Sequence, residues 1–487
     1  MLYTKFNKII SYLIIAAMAL CFTTGCSSKS TTAVATPEER VTQAHVTPAA
    51  TPETEPQTEP ETIAPVTITL SAVGDMLMHA SASNPAIQAD GSYNYDYLFA
   101  NVKDAIAASD VSVVNNEVIM AGNDKGNIGY PAFNVRTELG DAEVRTGFDV
   151  MLGATNHAID QGAYGILNCL EYWKNSHPDA AILGIHDSAE SASSIYVRDI
   201  NGVKIAMLNY TYGLNGLSVP AGMEYTVDLM TDSTKDKIAA DIAKAKEISD
   251  FVIVFPHWGT EYNLGTDDSQ KSWAKFFADN GVDLVIGTHP HVVEPVEWID
   301  RADGGKMLVY YSLGNFVSVQ YYNFSMLGGM AKVSITKDSS GTYISDYGMN
   351  FLVTHYTAGR GAITTYFLDN YTDELASQHA ILTEPSEKFM EVNKNYPFTV
   401  AGLKALAKSI CPDLIQKHLN GRYQIHDSSG VFFNYLYFLR YPPSSGCIWT
   451  RHNIVRNTGC NIPIRHNLLP LRSIYTVRSQ IQTIQNT

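Results

Sequence analysis

Cysteine is scarce, with six in 487 residues, and no two are spaced C-x-x-C. In a chain this long that excludes a disulfide scaffold and a thiolate metal site, and leaves little support for a sulfur or redox catalyst. Positive charge is also short: 34 Lys and Arg against 49 Asp and Glu give a formal charge of −15. A surface of that sign repels a phosphate backbone, so no nucleic-acid partner is expected. Long apolar runs are missing too. The run over residues 9–22 falls short of the roughly 20 residues a membrane helix needs. From residue 427 onward Lys and Glu vanish, leaving six Arg and the single acid Asp427. So abrupt a change reads either as a separate basic module or as a frameshift or gene-joining artefact, and no periodicity there supports a core.

The N-terminus reads as an export signal. Lys5 and Lys8 precede the apolar run, and Thr23-Thr24-Gly25-Cys26-Ser27-Ser28 follows it. This resembles a bacterial lipobox with Thr23 at the usual Leu position, so residues 1–26 are expected to be a lipoprotein signal peptide with Cys26 lipidated. An ordinary cleaved signal is the alternative. Residues 27–65, rich in Thr, Pro and Glu, cannot bury enough surface to offset ordering entropy and read as a disordered spacer. The expected location is extracytoplasmic, lipid-anchored to the cell membrane.

The 45% hydrophobic content allows a large core. Between residues 66 and 360 the pattern alternates strands with helices. Strands are expected over 66–73, 111–114, 148–152, 180–185, 251–255, 282–286 and 307–311, with antiparallel β over 331–335 and 343–353. Helices are expected over 97–109, 161–173, 235–248 and 270–280. Asn201-Gly202 marks a hairpin turn within 196–210. Residues 361–426 read as a helical C-terminal extension without chemistry.

Polar clusters follow five of these strands: Gly74-Asp75, Asn115-Asn116-Glu117, Asn156-His157 with Asp160, His257-Trp258 with Glu261 and Tyr262, and His289-Pro290-His291. Carboxylate, amide and imidazole donors gathered at strand ends suit one or two divalent ions. Taken singly, each has a plainer reading. Asp75 could be a turn residue, Glu117 an edge carboxylate, Asp160 a helix N-cap, and the histidines structural. An extended backbone at 289–291 would put both rings on one side. Asp160 could orient the His157 imidazole, while Trp258, Glu261 and Tyr262 could shape a pocket.

The order of these motifs, with Ser312-Leu313-Gly314-Asn315-Phe316 after them, resembles the bacterial capsule-synthesis CapA (poly-γ-glutamate capsule) family over about 67–355. The resemblance implies a calcineurin-like metallophosphoesterase fold, a four-layer α-β-β-α sandwich with a dinuclear metal centre at one end. Carried over, Asp75, Glu117, Asn156, His257, His289 and His291 would hold two Mn, Fe or Zn ions, and His157 would be the general acid with Asp160 behind it. Leu77 stands where the usual phosphoesterase pattern has His, with His79 two residues later, and Ala158 follows His157 where that pattern has an acid.

Two function classes follow. One is a metal-dependent hydrolase, phosphoesterase- or amidase-like, acting in capsule or poly-γ-glutamate-type polymer synthesis or export, or unrelated to capsule. The other is a non-catalytic assembly factor that binds the polymer. The implied partners are an anionic polymer or a phosphate- or carboxylate-bearing substrate, and capsule-synthesis membrane proteins.

Overall fold

The computed structural model describes residues 64–414. The expected signal 1–26 with Cys26, nearly all of the spacer 27–65, and the 427–487 tail lie outside the described residues.

Two β-sheets face each other. In the first, β1 (Val66–Met76), β2 (Val111–Asn116), β3 (Val150–Leu152) and β4 (Ala181–Leu183) run parallel side by side. Beyond β1 the sheet continues antiparallel through β12 (Leu327–Asp338), β13 (Gly341–Tyr356) and β14 (Ile363–Phe367). The short β11 (Asn315–Val317) also pairs with the end of β1. The second sheet has the order β5 (Tyr196–Ile200), β6 (Val203–Thr211), β7 (Phe251–His257), β8 (Leu284–Ile286), β10 (Lys306–Tyr310), β9 (Val296–Asp300). Its middle strands β6, β7, β8 and β10 are parallel.

Strand alternation makes the sandwich. Ile68, Leu70 and Ala72 of β1 pack in one cluster with Ile205 and Met207 of β6, Ile253 and Phe255 of β7, and Leu308 of β10. The opposite faces are apolar as well, and each is covered by helices. Behind the first sheet lie α1 (Lys103–Ala107), α2 (Glu138–Thr146) and α3 (Gly162–Ser176), contributing Ile106, Leu139, Ile166 and Trp173. Behind the second lie α4 (Lys235–Ile248) and α5 (Asp268–Asp279). Helix α4 buries Ile238, Ile242 and Ala245, one helical stripe, and α5 buries Trp273 and Phe277. Its start is fixed by a capping box, in which Asp267 Oδ1 accepts from Gln270 N at 2.8 Å and Gln270 Oε1 accepts from Asp267 N at 2.9 Å. This is the expected four-layer α-β-β-α arrangement.

Most of the expected elements are present. The Asn201-Gly202 turn has φ of 55° and 86°, the two positive values a type I′ hairpin requires. The helix expected over 97–109 is cut to α1. Val102 leaves helical geometry at φ −125°, ψ −11°, and the Asn101 amide reaches out to Thr364 Oγ1 at 3.2 Å.

The boundary expected at 360 needs correction. Strand β14 pairs with β13 from Tyr356↔Ile363 to Leu352↔Phe367, so the first sheet is unfinished at 360. Past it, Leu368, Tyr371, Ile381, Phe398, Leu403 and Ala407 are buried in the same cluster as Val353 and Tyr356. The helices expected here do form, as α6 (Asp373–Gln378), α7 (Glu387–Asn393) and α8 (Val400–Ile410), but they complete the core rather than extend from it. His379 shows how closely they are fitted. Its Nε2–H donates to Thr354 O at 3.0 Å and its Nδ1 accepts from Ile381 N at 2.9 Å. Only a neutral ring can do both, and burial holds its pKa down to about 3.

Candidate metal centre

Parallel strands present their carboxyl ends together, and here two sheets do so at a shared edge. Asp75 is the penultimate residue of β1, with Glu117 just past β2, Asn156 and His157 past β3, His257 at the end of β7, and His289 and His291 past β8. All are buried. The close approach that seats Asp75 depends on Gly74, where a Cβ would lie 1.8 Å from Gly314 O.

Two overlapping triads result, Glu117–His257–His289 and Asp75–Glu117–His291, and in each the candidate ligand atoms lie within 4.8 Å of one another. Glu117 belongs to both. Its Oε1 is 3.6 Å from His257 Nε2 and 3.6 Å from His291 Nε2. Asn156 Oδ1 accepts from His257 Nε2 at 3.0 Å, bringing the amide to the same spot. The structure thus brings together all six residues expected as ligands.

The donor set fits a divalent cation. Neither oxygen of the fully buried Glu117 makes a hydrogen bond, and His289 Nδ1 has no partner either. A buried carboxylate left so is costly. Burial pushes the Glu117 carboxyl up to about 8, with Asp75 adding to the rise and His291 opposing it. Burial would also raise Asp75, but the hydrogen bond and charge of His291, with the charges of His257 and His289, hold it below its ordinary value. Burial takes His257 down to about 3 and His289 well below the usual imidazole range. His291 goes the other way, to about 9, because the Glu117 and Asp75 carboxylates outweigh its burial. Two carboxylates and three imidazoles compensating one another in this way form a buried set of hard oxygen and borderline nitrogen donors, suited to Mn, Fe or Zn.

The backbone at the histidine pair differs from expectation. His289 and His291 are not extended. Both have left-handed φ, 100° and 59°, a strained state that persists where surroundings over-determine it. Those surroundings are on hand. His289 N donates to Asp75 Oδ1 at 3.3 Å, and His291 Nδ1 donates to Asp75 Oδ2 at 2.9 Å. Asn315 Nδ2, from the last motif, donates to His291 O at 3.3 Å.

His157 stands beside the triads, outside them. Its Nδ1 lies 2.7 Å from Asp160 Oδ2, which also accepts from Phe133 N at 2.7 Å. Asp160 is therefore an orienting carboxylate rather than a helix cap, and the other ring nitrogen is left for chemistry. Phe133 meets the His157 ring edge-on at 4.7 Å between centroids. His79 does not join the cluster. Its Nδ1 faces Leu77 O at 3.2 Å and its ring packs on Phe133. Nor does Trp258 line a pocket, being buried against Tyr311 with its Nε1–H donating to Tyr311 O at 2.8 Å. Tyr262, at φ 63° and 5.9 Å from the His291 ring, does approach the site.

Four neighbours were not singled out from sequence. Asn115 Nδ2 donates to Asp75 Oδ1 at 2.9 Å, and Thr288 Oγ1 lies 3.0 Å from His257 Nδ1. The Tyr212 ring lies 4.6 Å from that of His289. Asn215 touches both Asn156 and His157. Asn115 sits inside one of the motifs and Thr288 directly precedes His289-Pro290-His291, so their adjacency was a usable signal. Tyr212 and Asn215 come from a glycine-rich loop whose composition signals only a turn.

A four-layer α/β sandwich that delivers carboxylates, imidazoles and an amide to one edge of both sheets defines a protein of metallophosphoesterase-like fold with a candidate metal centre. More particularly, the chain belongs to the family described as bacterial capsule synthesis protein PGA_cap, whose family model matches residues 69–320, just over half of its length. It is 28% identical over 258 residues to the capsule biosynthesis protein CapA of Bacillus anthracis, covering 51% of this chain and 59% of that one. It is 27% identical over 278 residues to the PGA biosynthesis protein CapA of Bacillus subtilis, covering 57% and 70%. Among solved structures it is similar to the calcineurin-like phosphoesterase YfkN of Bacillus subtilis, with 13% identity, a TM-score of 0.36, and coverage of 71% of this chain and 100% of that one. It is also similar to the NAD nucleotidase of Haemophilus influenzae, with 11% identity, a TM-score of 0.35, and coverage of 71% and 67%.

Proposed function

We propose that this protein is a cell-surface, metal-dependent hydrolase that acts on an anionic polymer in capsule or poly-γ-glutamate-type synthesis or export. The observation that carries the metal part is Glu117, a buried carboxylate with both oxygens free of hydrogen bonds and two imidazoles 3.6 Å away. Asp75, Glu117, Asn156, His257, His289 and His291 would hold two divalent ions. Such ions supply Lewis acidity and an activated water. Asp75 orients His291, Thr288 orients His257, and Asp160 holds His157 with Nδ1 engaged, so that Nε2 can pass a proton to a leaving group. The polymer part is supported by family membership and by the two CapA relatives. A dyad such as His157–Asp160 favours turnover over passive binding.

Metal analysis tests this directly. The purified protein should hold about two divalent ions per chain, and His289→Ala with His291→Ala together should remove most of them while the fold is kept. Full occupancy in that double variant would refute the ligand assignment. Bound metal with no hydrolysis across a screen of phosphoesters and γ-glutamyl amides would leave the polymer-binding assembly factor as the better reading.

We also propose that Cys26 carries a lipid anchor. Cys26→Ser should move the protein from the membrane fraction to the soluble one, and a variant that stays with the membrane would show another anchor.

A further inference from the structure

We propose that Asn215 is a positioning residue of this site, whose carboxamide oxygen aims Asn156 at the metal and whose amide nitrogen donates to the substrate oxygen that His157 serves. The inference rests on the metal-centre reading above.

Asn156 has two ends with different tasks. Its Oδ1 points to the cluster, 3.0 Å from His257 Nε2. Its Nδ2 donates to Asn215 Oδ1 at 3.2 Å. This hydrogen bond opposes a flip of the Asn156 amide, so Asn215 would keep its oxygen toward a cation bound there. This is the outer support that metal-bound side chains usually have.

The other end of Asn215 lies on His157. Its Nδ2 is 3.4 Å from Nδ1 and 3.4 Å from Nε2. In the ring plane, a position equidistant from both nitrogens would overlap the carbon between them. The amide therefore lies over the face of the imidazole, where no lone pair accepts its protons. At least one N–H remains for an incoming oxygen beside the proposed proton donor. Asn215 is itself exposed at the mouth of a buried site, within reach of a substrate.

The loop is built to hold this pose. Asn215 has φ 52°, which asparagine tolerates better than most residues. Just before it, Tyr212 N donates to His257 O at 3.0 Å and Leu214 is buried, and Leu217 N donates to Leu214 O at 2.8 Å across it.

Two variants separate the two ends. Asn215→Gly takes the same φ without strain and removes the carboxamide. Asn215→Asp keeps the oxygen that holds Asn156. Titrating metal-free protein with Mn²⁺ should show affinity about tenfold or more weaker for Asn215→Gly, and wild-type or tighter affinity for Asn215→Asp. At saturating Mn²⁺, calorimetric titration with inorganic phosphate should show roughly tenfold weaker binding to Asn215→Gly, the loss of one hydrogen bond to a charged acceptor. An Asn215 that merely stabilises its loop would lower the melting temperature and move neither affinity, and that result overturns the proposal. If wild type holds Mn²⁺ and the glycine variant matches it in both titrations, this inference alone fails. If wild type takes up no Mn²⁺, the metal-centre reading fails and this one falls with it.

Discussion

Replacing His157 with alanine should leave bound metal near the wild-type level and lower turnover by about 10² to 10⁴-fold for a substrate with a poor leaving group. The geometry separates these two effects. His157 lies outside both candidate triads, and its Nδ1 is committed to Asp160 at 2.7 Å. A proposed ligand such as His257 has a nitrogen facing Glu117 instead. Asp160 keeps one tautomer and stabilises the imidazolium, so Asp160→Asn should reproduce part of the loss without touching metal content. Leaving-group dependence is the discriminating measurement. A nitrophenolate departs without protonation, so His157→Ala should cost little with it and much with an alkoxide or amine. Equal losses with both would remove His157 from the acid role. Loss of metal in the variant would make it a ligand after all.

How much of this was legible before the structure depends on whether the signal was local. The helix Lys235–Ile248 announces itself through Ile238, Ile242 and Ala245, and the hairpin through Asn201-Gly202, because periodicity and turn chemistry act within a few residues. The site was legible for a related reason. Each residue expected as a ligand sits at or just past the end of a buried parallel strand, and parallel strands deliver their ends to one edge. The left-handed backbone of His289 and His291 was not legible. It is imposed by Asp75, more than 200 residues earlier in the chain, which accepts from both. Asn215 was hidden likewise, since nothing near Tyr212-Gly213-Leu214 shows that its loop folds over β3's end.

The C-terminal boundary was misread for a physical reason too. Strand β14 is five residues, Ile-Thr-Thr-Tyr-Phe, following a Gly-rich turn, and as an edge strand its pairing depends wholly on β13. Arg360 closes that turn at φ 61°, with its guanidinium over the Tyr356 ring at 4.4 Å and ion-paired to Glu384. A buried arginine with a carboxylate partner 24 residues on is a long-range device that no window of sequence displays.

A fragment ending at residue 360 should therefore fail to fold, whereas one ending at 414 should fold cooperatively. Truncation at 360 removes β14 and bares the hydrogen-bonding edge of β13, an invitation to aggregate. It leaves Arg360 without Glu384, and Thr354 O without the ring that donates to it. It also removes Ile363, Leu368, Ile381, Phe398 and Leu403 from the cluster that contains Val353 and Tyr356. Each such side chain stabilises by about 1.5–3 kcal/mol when fully buried. Together they amount to on the order of 10 kcal/mol, comparable with the whole stability of a typical domain. The proposed metal ligands all precede residue 300, so a cation could rescue the short fragment only by outweighing that loss. Urea denaturation followed by circular dichroism, with and without Mn²⁺, decides the matter. A single cooperative transition in the 64–360 fragment at a midpoint close to that of 64–414 would show that the packing after β13 is dispensable.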